Sequence, residues 1–260
     1  MKTAATAGDE GAPPSLGTHV VAIIPCLDEE QAIAGVVAAV LAQSVSNVIV
    51  VDGGSHDRTV ERATAAGARV IVESQRGYGR AMRAGTAAAP QEAEILLFLD
   101  GDGSDRPEFI PALISPIASG RAAFTHGSRV RGAREAGSLS LQQIAAGRLA
   151  GLLMRLLYGV RFTDMSPFRA IRRDTLDRLG MREATYGWNL EMQMRAAAAG
   201  IAVVEIAVGQ RRRAGGVSKV SGNIATALKA ALTIAVTFVR LAASLRREAR
   251  SGRQIVNSRD

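Results

Sequence analysis

An α/β fold with a mostly parallel central sheet flanked by helices is what the sequence predicts. From residue 19 onward short apolar runs alternate with longer alanine-rich segments, the pattern of repeated strand–helix–strand units. The longer segments have helical length and apolar spacing, and aromatic residues make up only 4% of the chain, which argues against a sandwich of strands. Val20–Ile24, Val48–Val51, Val70–Val72 and Ile95–Leu99 read as buried strands. Between them, Glu30–Ala42, Asp57–Ala66 and Arg80–Ala88 read as helices; Ser55 or Asp57 is placed to cap the second, and Gly67 to end it. A helix over Phe109–Ala118, a strand over Ala122–His126 and a long helix over Leu141–Leu157 follow. Trp188–Ala199 reads as a helix that leads through Gly200 into a strand over Ile201–Val208. The polar, basic, glycine-containing stretch Gly209–Gly222 reads as a mobile loop.

Composition sets the outer limits. A chain of 260 residues holds one sizeable α/β domain, expected over residues 19–222, behind a disordered leader at 1–18 and ahead of an apolar and basic helical tail at 223–260. The formal charge of +8 makes acidic partners such as nucleotides, phosphates or anionic lipid reasonable. No zinc-finger, leucine-zipper or RNA-binding aromatic pattern accompanies it, so nucleic acid is not an expected partner. Cys26 is the only cysteine and His19, His56 and His126 lie far apart, which excludes an internal disulfide and a Cys/His metal cluster and suits a reducing cytoplasm. Ile224–Leu241 is the one stretch resembling a membrane segment, but its uninterrupted apolar core, Ala230–Val239, is about half the roughly twenty residues needed to span. With the arginines that follow, residues 224–253 read either as a helix lying against anionic lipid on the cytoplasmic membrane face or as a solvated helix end.

The chemistry gathers where strands end. Ile95–Leu99 delivers Asp100, Gly101, Asp102, Gly103, Ser104 and Asp105 without a break, at the carboxyl end of a buried parallel strand where open α/β sheets bind ligands. Aspartates at i and i+2 in extended backbone point the same way, and Gly101 between them lets a ligand approach the main chain. Such a pair offers hard oxygen ligands to Mg²⁺ or Mn²⁺ bridging to a diphosphate. Val48–Val51 ends in Asp52-Gly53-Gly54-Ser55 and the first strand in Pro25-Cys26-Leu27-Asp28-Glu29-Glu30, so three strand ends lead into acidic, small-residue loops. Gly77-Tyr78-Gly79 lacks the spacing of a dinucleotide fingerprint.

Taken in order, Pro25-Cys26-Leu27-Asp28-Glu29, Val51-Asp52-Gly53-Gly54-Ser55, Asp100-Gly101-Asp102, Gly127-Ser128-Arg129, Asp164-Met165-Ser166-Pro167-Phe168-Arg169 and Gly216-Val217-Ser218-Lys219 resemble the motifs of family 2 glycosyltransferases of the dolichyl-phosphate mannose synthase type, over roughly residues 19–222. The resemblance implies a GT-A fold and inverting transfer of a hexose from a UDP- or GDP-linked donor to a polyprenyl phosphate, with a small soluble hydroxyl or phosphate acceptor as the alternative. It implies a donor site of Pro25, Leu27, Glu29, Asp52, Gly79, Asp100, Gly101, Asp102, Arg213 and Lys219. Asp100, Asp102 and Ser104 would hold Mg²⁺ or Mn²⁺, and Arg129 joins Asp102 among the catalytic residues. A lipid phosphate acceptor is already anionic and needs no base. A hydroxyl acceptor needs one, and Asp164 is the first candidate and Glu191 the second. Asp164 is equally able to pair with Arg169 or Arg172, Glu191 with Arg195 one turn on, and Trp188 either stacks on a sugar or fills the core. The chain departs from the family's usual residues at Asp28, where Asn is common, at Gly53, where a second Asp is common, and at Pro167, where Gly precedes Phe.

Overall fold

Seven strands form one mixed sheet in a computed structural model that describes residues 19–214, 232 and 235–248. The expected leader at 1–18 and Lys219 lie outside the described residues, as does most of the stretch 215–234. In chain order the elements are β1 (Val20–Cys26), α1 (Ile33–Leu41), β2 (Asn47–Asp52), α2 (Thr59–Ala65), β3 (Arg69–Val72), α3 (Tyr78–Ala88) and β4 (Ile95–Phe98). A short 3-10 turn, Pro107–Phe109, then leads into α4 (Ile110–Ala118), β5 (Phe124–Ser128), α5 (Leu141–Tyr158), β6 (Arg169–Arg172), α6 (Arg173–Leu179), α7 (Trp188–Ala198) and β7 (Val203–Ala207). Residues 235–248 are helical and are called α8.

The strand order is β3-β2-β1-β4-β6-β5-β7. β1 pairs in parallel with β2 on one side and β4 on the other, so the chain reverses its direction of winding between β1 and β4. That switch point leaves a crevice at the carboxyl edge, into which the loops after β1 and β4 open. Pro25 is tolerated in this central strand because β4 pairs only with Val20–Ile23, leaving no β4 carbonyl that needs its missing N–H.

Alternation along the strands builds two cores. Val21, Ile23, Ile49, Val51, Leu96 and Phe98 face α3, α6 and α7, while Val20, Ala22, Ile24, Val48, Val50 and Leu97 face α1, α2 and α4. The sheet is therefore sandwiched between helical layers. Trp188 packs edge-on against Phe98 in the first core, 5.0 Å between ring centroids, so the sugar-stacking role considered for it is replaced by a packing one.

β6 and α6 are absent from the sequence expectation. β6 runs antiparallel to both neighbours and separates β4 from β5, so the sheet is mixed and β5 is not the next parallel strand. α5 starts with a capping box, Ser140 Oγ accepting from Gln143 N while Gln143 Oε1 accepts from Ser140 N, and stops at Gly159 in the left-handed conformation. Its Gly151 lets it lie close on the chain at Phe162, since a methyl group there would fall onto the Phe162 carbonyl, and Gly147 rests at ordinary contact distance from Asp164.

Gly151→Val should therefore destabilise the fold by about 3 kcal/mol, because the clash is with main chain rather than with a yielding side chain. Urea unfolding midpoints of the two proteins measure this, and an unchanged midpoint would remove the close approach.

Candidate active site

The acidic loops after β1, β2 and β4 meet around Cys26. Its buried thiol is pushed well above the ordinary cysteine range by desolvation and then by the charges of Glu29, Asp100, Asp52 and Asp102. Gly101 is required at this junction, since a Cβ there would collide with Cys26 Sγ. Asp52, at the end of β2, accepts from Gly54 N and Ser55 N at 3.0 Å and from Ser55 Oγ at 2.5 Å, so it fixes its own turn. Asp28 and Asp57 bind the β1 and β2 loops together: Asp28 Oδ1 accepts from His56 N at 2.8 Å and Asp57 Oδ2 from Glu30 N at 3.1 Å. Leu27 is half-buried in the same loop, against which Gly53 packs.

After β4, Asp102 is buried and accepts from Ser104 N at 2.8 Å, closing a tight turn through Gly103 at φ +76°. Asp105, quoted in the sequence motif but given no role there, turns back so that its Oδ2 accepts from Asp100 N at 2.9 Å. Its other oxygen is buried without a hydrogen-bond partner. Burial and the neighbouring charges of Asp105 and Asp102 push the Asp100 carboxyl well above the usual range; burial, with Asp102 adding to it, pushes Asp105 to about 7. This edge is short of positive charge. Among the described residues no three Asp, Glu, His or Cys side chains form a ready cation cage. The carboxylates of Asp100 and Asp102 with the Ser104 hydroxyl nonetheless are the oxygen donors that a hard divalent cation prefers, and a diphosphate would complete the shell.

Arg213 closes the mouth of the crevice. Its Nη2 donates to Glu29 Oε1 at 2.6 Å, and its Nε lies 3.2 Å from Asp102 Oδ2 as an ion pair without hydrogen-bond alignment. The expectation of a mobile loop at 209–222 is corrected for its first part. Arg211 N donates to Ser104 O, Ala214 N to Asp102 O and Gln210 N to Ala133 O, which fasten 210–214 onto the aspartate loop.

Asp164 sits on the opposite wall and pairs with Arg129, not with Arg169 or Arg172. Its carboxylate accepts from Arg129 N, Nε and Nη2 at 2.8–2.9 Å and from Met165 N at 2.7 Å. Burial opposes the charge, but the Arg129 hydrogen bonds and charge outweigh it and hold the carboxyl at about 2. The Asp164 carbonyl is fixed as well, 2.8 Å from His126 Nε2 and accepting from Gln193 Nε2 at 2.9 Å. His126 is fully buried; desolvation first, and then the charge of Arg169, depress it to about 3, so it stays neutral. Arg169 is buried over the Phe124 ring, donates to Asn189 O at 3.0 Å and to Ser166 O, and is lowered by burial to about 10. His126, Gln193 and Arg169 were not picked out as site residues; only the position of Arg169 beside Asp164 in the motif hinted at it.

Two expected site residues stand elsewhere. Glu191 is buried, accepts from Arg182 N, Glu183 N and, at 2.8 Å, Arg195 Nε, and anchors the turn at 182–183. Both carboxylate oxygens are engaged by these donors, so the structure gives Glu191 an anchoring place rather than that of the expected base. Gly79 lies at the start of α3, where a Cβ would strike the Glu183 carbonyl, so its absence of a side chain serves packing.

This crevice at a topological switch point, lined by paired aspartates and bordered by arginines, lies in a fold of the GT-A architecture. The Glycosyl transferase family 2 domain matches residues 21–180, and the chain belongs to that family. It is 36% identical over 212 residues to an uncharacterized glycosyltransferase of Mycobacterium tuberculosis, covering 80% of this chain and 92% of that protein. It is 30% identical over 230 residues to the polyprenol monophosphomannose synthase of Mycolicibacterium smegmatis, covering 84% and 86%. Its fold is shared by glucosyl-3-phosphoglycerate synthase from Mycobacterium tuberculosis in complex with Mn²⁺, UDP-glucose and phosphoglyceric acid, with a TM-score of 0.70 and 21% identity over 86% of this chain and 80% of that one.

Asp164→Asn should leave Arg129 buried beside a neutral partner and cost about 3–5 kcal/mol in urea unfolding at pH 7; a loss below about 1 kcal/mol would show the pair to be solvated. His126 gives a second test. Because the folded protein keeps it neutral to about pH 3 while the unfolded chain takes a proton near 6.5, stability should fall on acidification below 6.5. The slope is up to ~1.4 kcal/mol per pH unit, and His126→Gln should flatten it between pH 6 and 5.

Proposed function

We propose that this glycosyltransferase moves a hexose from a UDP- or GDP-linked donor to a polyprenyl phosphate, with Mg²⁺ or Mn²⁺ held by Asp100, Asp102 and Ser104. The observation that carries the acceptor is the state of Asp164. Four donors occupy its carboxylate, which is held at about 2 and has little affinity for a proton at neutral pH. Glu191 is committed to the 182–183 turn. An acceptor that arrives as an anion removes the requirement for either as a base. Similarity to a polyprenol monophosphomannose synthase over most of both chains supports the same reading.

The residues then divide the work. Pro25, Leu27, Glu29 and Asp52 border the nucleoside, and Gly101 allows the diphosphate close to the main chain. The acceptor oxygen attacks the anomeric carbon while the nucleoside diphosphate leaves from the opposite face. Asp100, Asp102 and Ser104 would hold a divalent cation, which would supply Lewis acidity to the departing diphosphate. Arg213 swings from Glu29 and Asp102 to the phosphates, joined by Lys219 from outside the described residues. Asp164 takes Nε and Nη2 of Arg129, which leaves Nη1 for the acceptor phosphate. A soluble phosphorylated acceptor is the second reading, favoured by the phosphoglyceric acid complex of the structural neighbour.

Labelled UDP- and GDP-hexoses, offered with Mn²⁺ and polyprenyl phosphate, should give label that enters the organic phase. Asp102→Ala or chelation should lower the rate at least about a hundredfold. Label that stays in water and appears only with a phosphorylated metabolite would replace the lipid acceptor with the soluble one; turnover indifferent to chelation would remove the cation.

A further inference from the structure

The outer face of α5 carries a stripe of leucines that no packing partner among the described residues covers. Leu141, Leu149, Leu152 and Leu156 are 84%, 45%, 53% and 72% exposed. At about 100° per residue they fall, with exposed Ala145, within a sector roughly 80° wide. Exposed Arg148 and Arg155 lie along one edge of that sector. The helix's opposite face is the one packed into the protein, through Gly147, Ala150, Gly151 and Met154.

Charge tells what this face is suited to meet. From Ala136 to Thr163 the sequence has no Asp or Glu, while Arg148, Arg155 and Arg161 are all present. An apolar stripe edged by arginines and free of acid is the composition of a helix that lies in the boundary of an anionic bilayer. A second copy of the chain fits it less well. In a two-fold contact the same patch meets itself, and the stripe holds no carboxylate to pair the arginines that would face one another.

Position adds a second argument. Gly147 sits against Asp164: a Cβ there would lie 3.5 Å from Asp164 Cα and 3.8 Å from its Oδ1. The leucine stripe is thus one helix diameter, about 10 Å, from the Arg129–Asp164 pair. Among the described residues no helix is long and apolar enough to cross a membrane, so α5 meets lipid from its side.

We propose that the exposed face of α5 is the surface by which this enzyme rests on an anionic lipid bilayer, bringing the wall that holds Arg129 and Asp164 to the headgroup layer. This rests on the polyprenyl phosphate reading, which gives the enzyme its reason to work there. The stripe would sink into the headgroup boundary while Arg148 and Arg155 meet lipid phosphates.

The full chain is sedimented with vesicles of phosphatidylcholine containing phosphatidylglycerol, and with phosphatidylcholine alone. Wild type should partition to the anionic vesicles, and Leu152→Glu with Leu156→Glu should lower that partitioning at least about tenfold. The double variant should keep its circular dichroism and its transfer to a short-chain, water-soluble prenyl phosphate without vesicles. Equal binding by wild type and double variant, or none by wild type, overturns the proposal. So does a concentration-dependent dimer in sedimentation equilibrium that the two glutamates abolish, since a second copy then covers the stripe. Failure of transfer to the soluble prenyl phosphate by wild type counts against the acceptor reading instead, and vesicle binding is read separately from it.

Discussion

Asp164 and Arg129 form the contact on which the geometry of this enzyme turns. The pair joins the end of β5 to the loop entering β6, across thirty-five positions of sequence, and both members are nearly closed to solvent. Taking two such charges from water is costly, and their attraction offsets this only because every strong acceptor direction of the carboxylate is filled. Three consequences follow. The loop at 163–168 is held tightly enough for α5 to lie on it through glycines, the Asp164 carbonyl is presented to His126 and Gln193, and β6 is started in the register that lets it separate β4 from β5.

The proposed donor edge follows the opposite rule. There the β1, β2 and β4 loops concentrate carboxylates with too few cations among the described residues to balance them, and the imbalance shows as elevated proton affinity at Asp100 and Asp105. One wall of the crevice is electrostatically complete and the other is not. That asymmetry suits an enzyme that must pull a charged leaving group away from one side while an acceptor approaches from the other.

Much of this was legible from the chain alone where the signal was local. β1, β2 and β4 are apolar runs that end in acid, and the helices between them have the length and spacing to cross back; the structure places all of them within a few residues of expectation. β6 was hidden because Arg169–Arg172 has only two apolar residues and is a strand by virtue of its two neighbours. The partner of Asp164 was hidden for a related reason. Sequence proximity offered Arg169 and Arg172, whereas folding brings Arg129 from the far end of β5 and buries Arg169 over Phe124. Glu191 stood as a second candidate base, and only its three-dimensional neighbours show it bonded to backbone N–H groups. The Arg195 contact one turn along was readable from spacing.

The segment at 210–214 grips the aspartate loop through peptide groups, with Arg211 N on Ser104 O and Ala214 N on Asp102 O. Bonds of that kind are indifferent to side-chain identity and sensitive to phase. Such a stretch is constrained in length before composition: a single inserted or deleted residue would slide Arg213 off Glu29 and Asp102 and leave the crevice without its clasp.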